Sequence, residues 1–174
     1  MTPFVFGSVL TVDAGTKDLR AADHLLQALA AELALPEGGF GCTHLVRDDR
    51  PRVVLSFTLD TPEALRAARD RLTTWGHEVT DGAPDDCGRA VRYPGVAALT
   101  GTLPVGEILA ASAIDAVTVL GTPGDPAPDL PLHTRDHVRP QWRQGRLVLA
   151  AQPAAGGILV PFEHPDPTPC CADH

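Results

Sequence analysis

Lysine, serine and cysteine are scarce in these 174 residues, and long apolar runs are missing. Lys17 is the single lysine beside thirteen arginines, so Schiff-base or amine-nucleophile chemistry would rest on that residue alone. Only Ser8, Ser56 and Ser112 are serines, and none lies in a Gly-x-Ser-x-Gly elbow, so a serine hydrolase is not expected. The four cysteines, Cys42, Cys87, Cys170 and Cys171, lack the density and spacing of a secreted disulfide framework, and reduced thiols are expected. Nowhere do about 18 apolar residues run together, and the N-terminus has no basic segment leading into an apolar one. Neither a membrane span nor a secretory leader is therefore predicted, and the expected location is cytoplasmic. Glycines at 38, 39 and 41, and at 121 and 124, match neither a dinucleotide nor a Walker phosphate loop.

What is present suits a globular core. Hydrophobic residues make up 44% of the chain, enough for one compact domain or two small ones. The 22 acidic residues outnumber the 14 basic ones, for a net charge of −8. Nucleic acid and anionic membrane surfaces are polyanions, so neither is an expected partner.

Hydrophobic periodicity predicts a strand over residues 4–12 and then a helix marked by Leu19, Ala22, Leu25, Leu26, Leu29 and Leu33, capped by Thr16 or Asp18. Residues 40–46 and 52–59 alternate as a hairpin around the polar turn 47–51. Thr61-Pro62-Glu63 starts a second helix along Leu65, Ala68, Leu72 and Trp75, and residues 77–80 return as a strand. The fold class expected is α+β: a ferredoxin-like βαββαβ half over residues 1–82, then a connector at 83–93. A second α+β half, 94–163, is predicted as a short helix near 104–111, with Thr102 as its cap, and a mostly antiparallel strand meander. The meander's strands are predicted at 114–120, 132–138, 146–151 and 158–162. Residues 164–174 form a tail rich in Pro, Cys and His.

The passage from Val54 to Leu65, with Leu72 to Val79, resembles the strand-helix-strand portion of glyoxalase-like vicinal-oxygen-chelate modules. That family's metal-bearing strand positions and its Asp-Pro-x-Gly turn are not matched here, so the resemblance implies fold alone.

Two constellations carry the expected chemistry. In the tail, His164, Cys170, Cys171 and His174 supply thiolate and imidazole ligands within eleven residues, a set suited to a transition metal, zinc first. A turn set by Pro165, Pro167 and Pro169 would be needed to bring the adjacent cysteines to one ion, with His133 as a further ligand. A solvated tail and a reducible thiol pair are the alternatives. Along the predicted strand 132–138 and the turn after it, His133, Arg135, His137 and Arg139 fall on one face at period two. Arg135 and Arg139, with Trp142, would bind an anionic small molecule, and His137 would serve as general base. A solvated sheet face is the competing reading. Cys42 and His44 share a strand face and are expected as a buried thiol beside a satisfied core histidine. Acids beside Cys87 are expected to raise its pKa.

The function these residues predict is a metal-binding small-molecule protein, an enzyme or accessory enzyme acting on an anionic small molecule. One alternative is a non-catalytic ligand-binding or homodimerising module of ferredoxin-like type. The other is a thiol redox or metal-trafficking protein using the vicinal cysteines.

Overall fold

The structure, a computed structural model, describes residues 8–165. In chain order its elements are β1 (Val9–Thr16), α1 (Leu19–Glu32), β2 (Phe40–Val46), β3 (Arg52–Thr58), α2 (Pro62–Thr74), β4 (Glu78–Asp81) and β5 (Arg89–Arg92). A single 3₁₀ turn at Val96–Ala98 precedes β6 (Thr102–Pro104), α3 (Val105–Ala111), β7 (Ala116–Val119) and β8 (Pro131–His133). The last strands are β9 (Gln141–Arg143), β10 (Arg146–Ala154) and β11 (Ile158–Pro161). The fold is mixed α+β. Two compact units divide the chain, Met1–Pro94 with Gln141–Gly145 and Gly95–Pro140 with Arg146–His174.

In the first unit the strand order is β4-β1-β3-β2-β5-β9, with every neighbouring pair antiparallel. Both helices begin where capping chemistry places them. The Asp18 carboxylate accepts from the Ala21 N–H at 2.8 Å, and the Thr61 hydroxyl accepts from the Ala64 N–H at 3.1 Å. The apolar stripe of α1 buries Ala22, Leu26, Leu29 and Ala30, and that of α2 buries Ala68 and Leu72. They close over alternate strand residues, Leu10 and Val12 of β1 and Val53, Leu55 and Phe57 of β3, to form the core. Gly41 lets α1 approach β2, because a Cβ there would stand 2.9 Å from Leu26 Cδ2. At the hairpin end, the Arg52 guanidinium joins Asp13 at 2.6 Å to Asp48 at 2.7 Å.

Residues 89–92 lie inside the predicted connector yet form β5. Ala90 and Val91 are buried, and the Arg89 guanidinium grips both oxygens of Asp23 on α1 at 2.7 and 3.1 Å. Two short apolar residues between arginines carry too little pattern to announce a strand, and the pairing comes from β2.

The second unit has the order β7-β10-β11-β8-β6. The expected meander is corrected here: β7–β10 and β8–β11 are parallel, while β10–β11 and β6–β8 are antiparallel. A parallel neighbour needs a long crossover, and the Pro- and Gly-rich loop from Gly121 to Asp129 supplies part of that length. Thr102 sits in β6 and Pro104 takes the cap position of α3. The predicted strand 132–138 stops at His133, because Arg135 (φ 56) and Asp136 (φ 52) take left-handed conformations. Thr134 fixes that turn, its hydroxyl donating to Gly101 O at 2.8 Å and accepting from the Asp136 N–H at 3.3 Å. The alternating face expected over residues 133–139 therefore does not form. Among the described residues no helix is long and apolar enough to cross a membrane.

Candidate functional site

The sheet of the first unit has a second face, turned away from α1 and α2. On β2 it carries Phe40, Cys42 and His44, and on β3 Val54, Ser56 and Thr58. Antiparallel register puts Ser56 directly opposite Cys42 and Val54 opposite His44. Side chains at such cross-strand and diagonal positions meet. Ser56 and His44 do so: His44 Nε2 lies 2.7 Å from Ser56 Oγ.

The other ring nitrogen reaches beyond the sheet. His44 Nδ1 lies 2.9 Å from Asp85 Oδ1, whose side chain is 39% exposed while that of His44 is 2% exposed. An ionised carboxylate only accepts, so Nδ1 carries the proton toward Asp85. In the neutral imidazole Nε2 is then the acceptor, and the Ser56 hydroxyl donates to it. Asp85 is itself held in place, since the same Oδ1 accepts from the Cys87 N–H at 2.8 Å.

Cys42 extends this polar row. Burial pushes its thiol up to about 12, outweighing the lowering effect of the hydrogen bonds it shares with Trp142 and Ser56, and the Asp85 charge pushes the same way as burial. At neutral pH Cys42 is a thiol, which is a poor nucleophile. The Trp142 indole N–H can only donate, and Cys42 lies between it and Ser56. The row on the sheet thus reads Trp142, Cys42, Ser56, His44, Asp85.

Two segments of the same unit cover the row. Residues 83–88 cross it through Asp85 and Gly88. A Cβ on Gly88 would stand 2.9 Å from His44 Cε1 and 3.0 Å from Cys42 Cβ, so only glycine fits without displacing them. The β9 segment is tied to this cover: the Trp142 N–H donates to Gly88 O at 3.0 Å, and the Gln141 amide donates to Cys87 O at 3.2 Å. Trp142 also meets Phe40, with ring centroids 5.6 Å apart. Gln144 (φ 51) and Gly145 (φ 77) both take left-handed conformations directly after β9. Between sheet and cover lies a pocket of about 350 Å³, walled by more apolar than polar surface, with Val9, Thr58, Ala83, Asp86 and Gln144 also in its lining.

The residues predicted from sequence stand elsewhere, with one exception. His133 ends β8, its Nδ1 3.2 Å from Thr102 Oγ1. Arg135 lies in the left-handed turn. His137 Nε2 pairs with Glu163 Oε1 at 3.0 Å, and the Arg139 guanidinium reaches Val138 O at 3.5 Å. All four belong to the second unit. Trp142, grouped with them on sequence, belongs to the first unit and lines the pocket. His164 is exposed, while Cys170, Cys171 and His174 lie outside the described residues. Among the described residues no group of three or more His, Cys, Asp or Glu side chains is placed to hold a metal ion.

From sequence, Cys42 and His44 read as a buried thiol beside a satisfied core histidine, Ser56 carries no elbow motif, and residues 83–88 read as connector, so none of them is expected as a site residue. A signal for Ser56 existed. In a hairpin of strands 40–46 and 52–59, paired positions share a constant sum, which sets Cys42 against Ser56. No family model matches the chain, and no curated protein or solved structure matches it either.

Proposed function

We propose that the first unit is a small-molecule-binding module of ferredoxin-like type whose ligand occupies the pocket between the sheet and segments 83–88 and 142–145. Support for the fold reading comes from the β-α-β-β-α-β succession with strand order β4-β1-β3-β2. The observation that carries the binding reading is the pocket itself: about 350 Å³, mostly apolar, with the His44–Ser56 hydrogen bond on its floor. Small-molecule sites have this composition, an apolar wall with a few convergent polar groups, in volumes of roughly 300 to 1,000 Å³. Among the described residues the lining includes the carboxylates of Asp85 and Asp86 and neither arginine nor lysine. A neutral or cationic ligand of compact, mostly apolar shape is the class that suits it.

The test is a fluorescence titration of the full chain with the neutral dye N-phenylnaphthylamine. Saturable binding at one site is expected, with affinity weakened at least about tenfold by Ala83→Trp, a change at an exposed lining position. Dye binding that does not saturate, or that Ala83→Trp leaves untouched, overturns the reading.

A further inference from the structure

From Ser56, His44 and Asp85 we propose a catalytic activity for this pocket: Ser56 is an acyl-accepting nucleophile, and the substrate class is a neutral or cationic carboxylic ester with a compact apolar acyl group. The inference rests on the pocket being a ligand site. It stands on three geometric facts. Ser56 lines the pocket. Its hydroxyl is 2.7 Å from His44 Nε2, and His44 Nδ1 is 2.9 Å from Asp85 Oδ1. A hydroxyl, an imidazole and a carboxylate in that succession are recognised by roles and geometry rather than by order along the chain. Here the succession comes from a hairpin register and a covering segment, which is why no elbow motif accompanies it.

Each member has its task. Asp85 holds the Nδ1–H tautomer and stabilises the imidazolium, so Nε2 is free to accept. Ser56 Oγ attacks the ester carbonyl carbon and forms a new C–O bond as its proton passes to Nε2. The imidazolium returns that proton to the ester's alkoxy oxygen as the acyl–oxygen bond breaks, releasing an alcohol and leaving Ser56 acylated. Water then gives a proton to Nε2 and attacks the acyl carbon. The Ser56–acyl bond breaks, the serine oxygen takes the proton back, and a carboxylic acid leaves. The sum is ester plus water to acid plus alcohol, with no other reactant.

The fold also sets a limit. Ser56 lies on β3 between β1 and β2, paired with Thr11 on one side and Cys42 on the other. Its own N–H is therefore held by the ladder and does not stabilise an oxyanion, unlike the N–H groups of a nucleophile at a strand-to-helix turn. Acylation is accordingly fastest with esters whose leaving group is already a weak base. Asp85 and Asp86 in the lining disfavour esters that carry a carboxylate.

The experiment treats the full chain with p-nitrophenyl butyrate and follows p-nitrophenolate release, the intact mass, and the modified peptide. Expected are release of the phenolate above the solvent rate and a butyryl group on Ser56. Acylation should be lost in Ser56→Ala and slowed at least about a hundredfold in Asp85→Asn. Because Asp85 is partly exposed, its asparagine variant keeps a test available should Ser56→Ala fail to fold. Displacement of N-phenylnaphthylamine by the uncleavable ether analogue is measured alongside. Displacement without acylation of Ser56 overturns the nucleophile and leaves the ligand site standing. No displacement and no acylation overturns both, and a butyryl group on Cys42 or on a surface residue overturns the assignment to Ser56.

Discussion

Each unit holds a histidine paired with a carboxylate, and the two pairs are alike in length and different in setting. His44 meets Asp85 at 2.9 Å, and His137 meets Glu163 at 3.0 Å. The His44 side chain is 2% exposed and that of His137 is 16% exposed. His137 joins the segment after β8 to the residues just past β11, which gives it a structural tie. His44 makes the equivalent tie between the sheet and segment 83–88, and its second nitrogen also faces a hydroxyl in a pocket wall. A histidine–carboxylate pair does not make a site. The group on the other nitrogen and the space beside it do.

The largest effect separating the pairs should be on stability. His44→Ala leaves the buried Ser56 hydroxyl without its acceptor and opens a space under Gly88, at a cost of about 2–4 kcal/mol. His137→Ala, with both partners partly hydrated, should cost about 1 kcal/mol or less. Urea denaturation of the two variants gives the comparison, and equal costs would erase the distinction drawn between the units. Gly88→Ala comes next. Its methyl group meets His44 and Cys42 at 2.9 and 3.0 Å, so overpacking should cost about 1–3 kcal/mol. Dye affinity should fall with it.

The cysteines sharpen the same contrast between pocket and surface. Burial raises the Cys42 thiol to about 12 from the ordinary 9.0. Iodoacetamide at pH 8 should therefore leave Cys42 unmodified in the folded protein. Cys87 is exposed, but its hydrogen bond to Asp86 raises its thiol, so its alkylation rate should still be climbing as pH passes the ordinary 9.0. Peptide mass mapping reads both. The sign for stability follows from which state loses its proton first. Cys42 supports the fold fully below about pH 9, where the unfolded thiol is still protonated, and that support declines between about 9 and 12 as the unfolded state ionises. Alkaline unfolding should thus begin later in Cys42→Ala. The smallest effect is expected at the tail. Removing residues 169–174 should leave dye affinity unchanged, and elemental analysis of the same pair of proteins tests the separate proposal that Cys170, Cys171 and His174 bind zinc. Stoichiometric metal lost with the tail supports that proposal, and none in the intact protein opposes it.

The periodic elements of the first unit were legible because each carries its own signal. The α1 stripe, the Thr61-Pro62 start of α2 and the alternation of β3 are local facts, and the structure keeps them. Elements defined by partners were not legible. β5 and β9 are short strands whose pairing is supplied by β2 and by each other, and Arg135 and Asp136 adopt left-handed turns that their side chains do not announce. The same division runs through the site. Cys42 and His44 were read as a buried pair from their shared strand face, whereas Asp85 lies 41 positions from His44 in a segment that looked like linker. The tail and residues 133–143 are dense clusters along the sequence, whereas the pocket is built by residues that lie far apart in it.

Side-chain nuclear magnetic resonance tests the central claim most directly. Full-length protein labelled at histidine and tryptophan is titrated with N-phenylnaphthylamine while the imidazole signals of His44 and His137 and the Trp142 indole N–H are followed. His44 and Trp142 are expected to shift together along one saturable curve while His137 stays in place. Saturable binding with His44 and Trp142 unmoved, or with His137 moving in their stead, would contradict that claim.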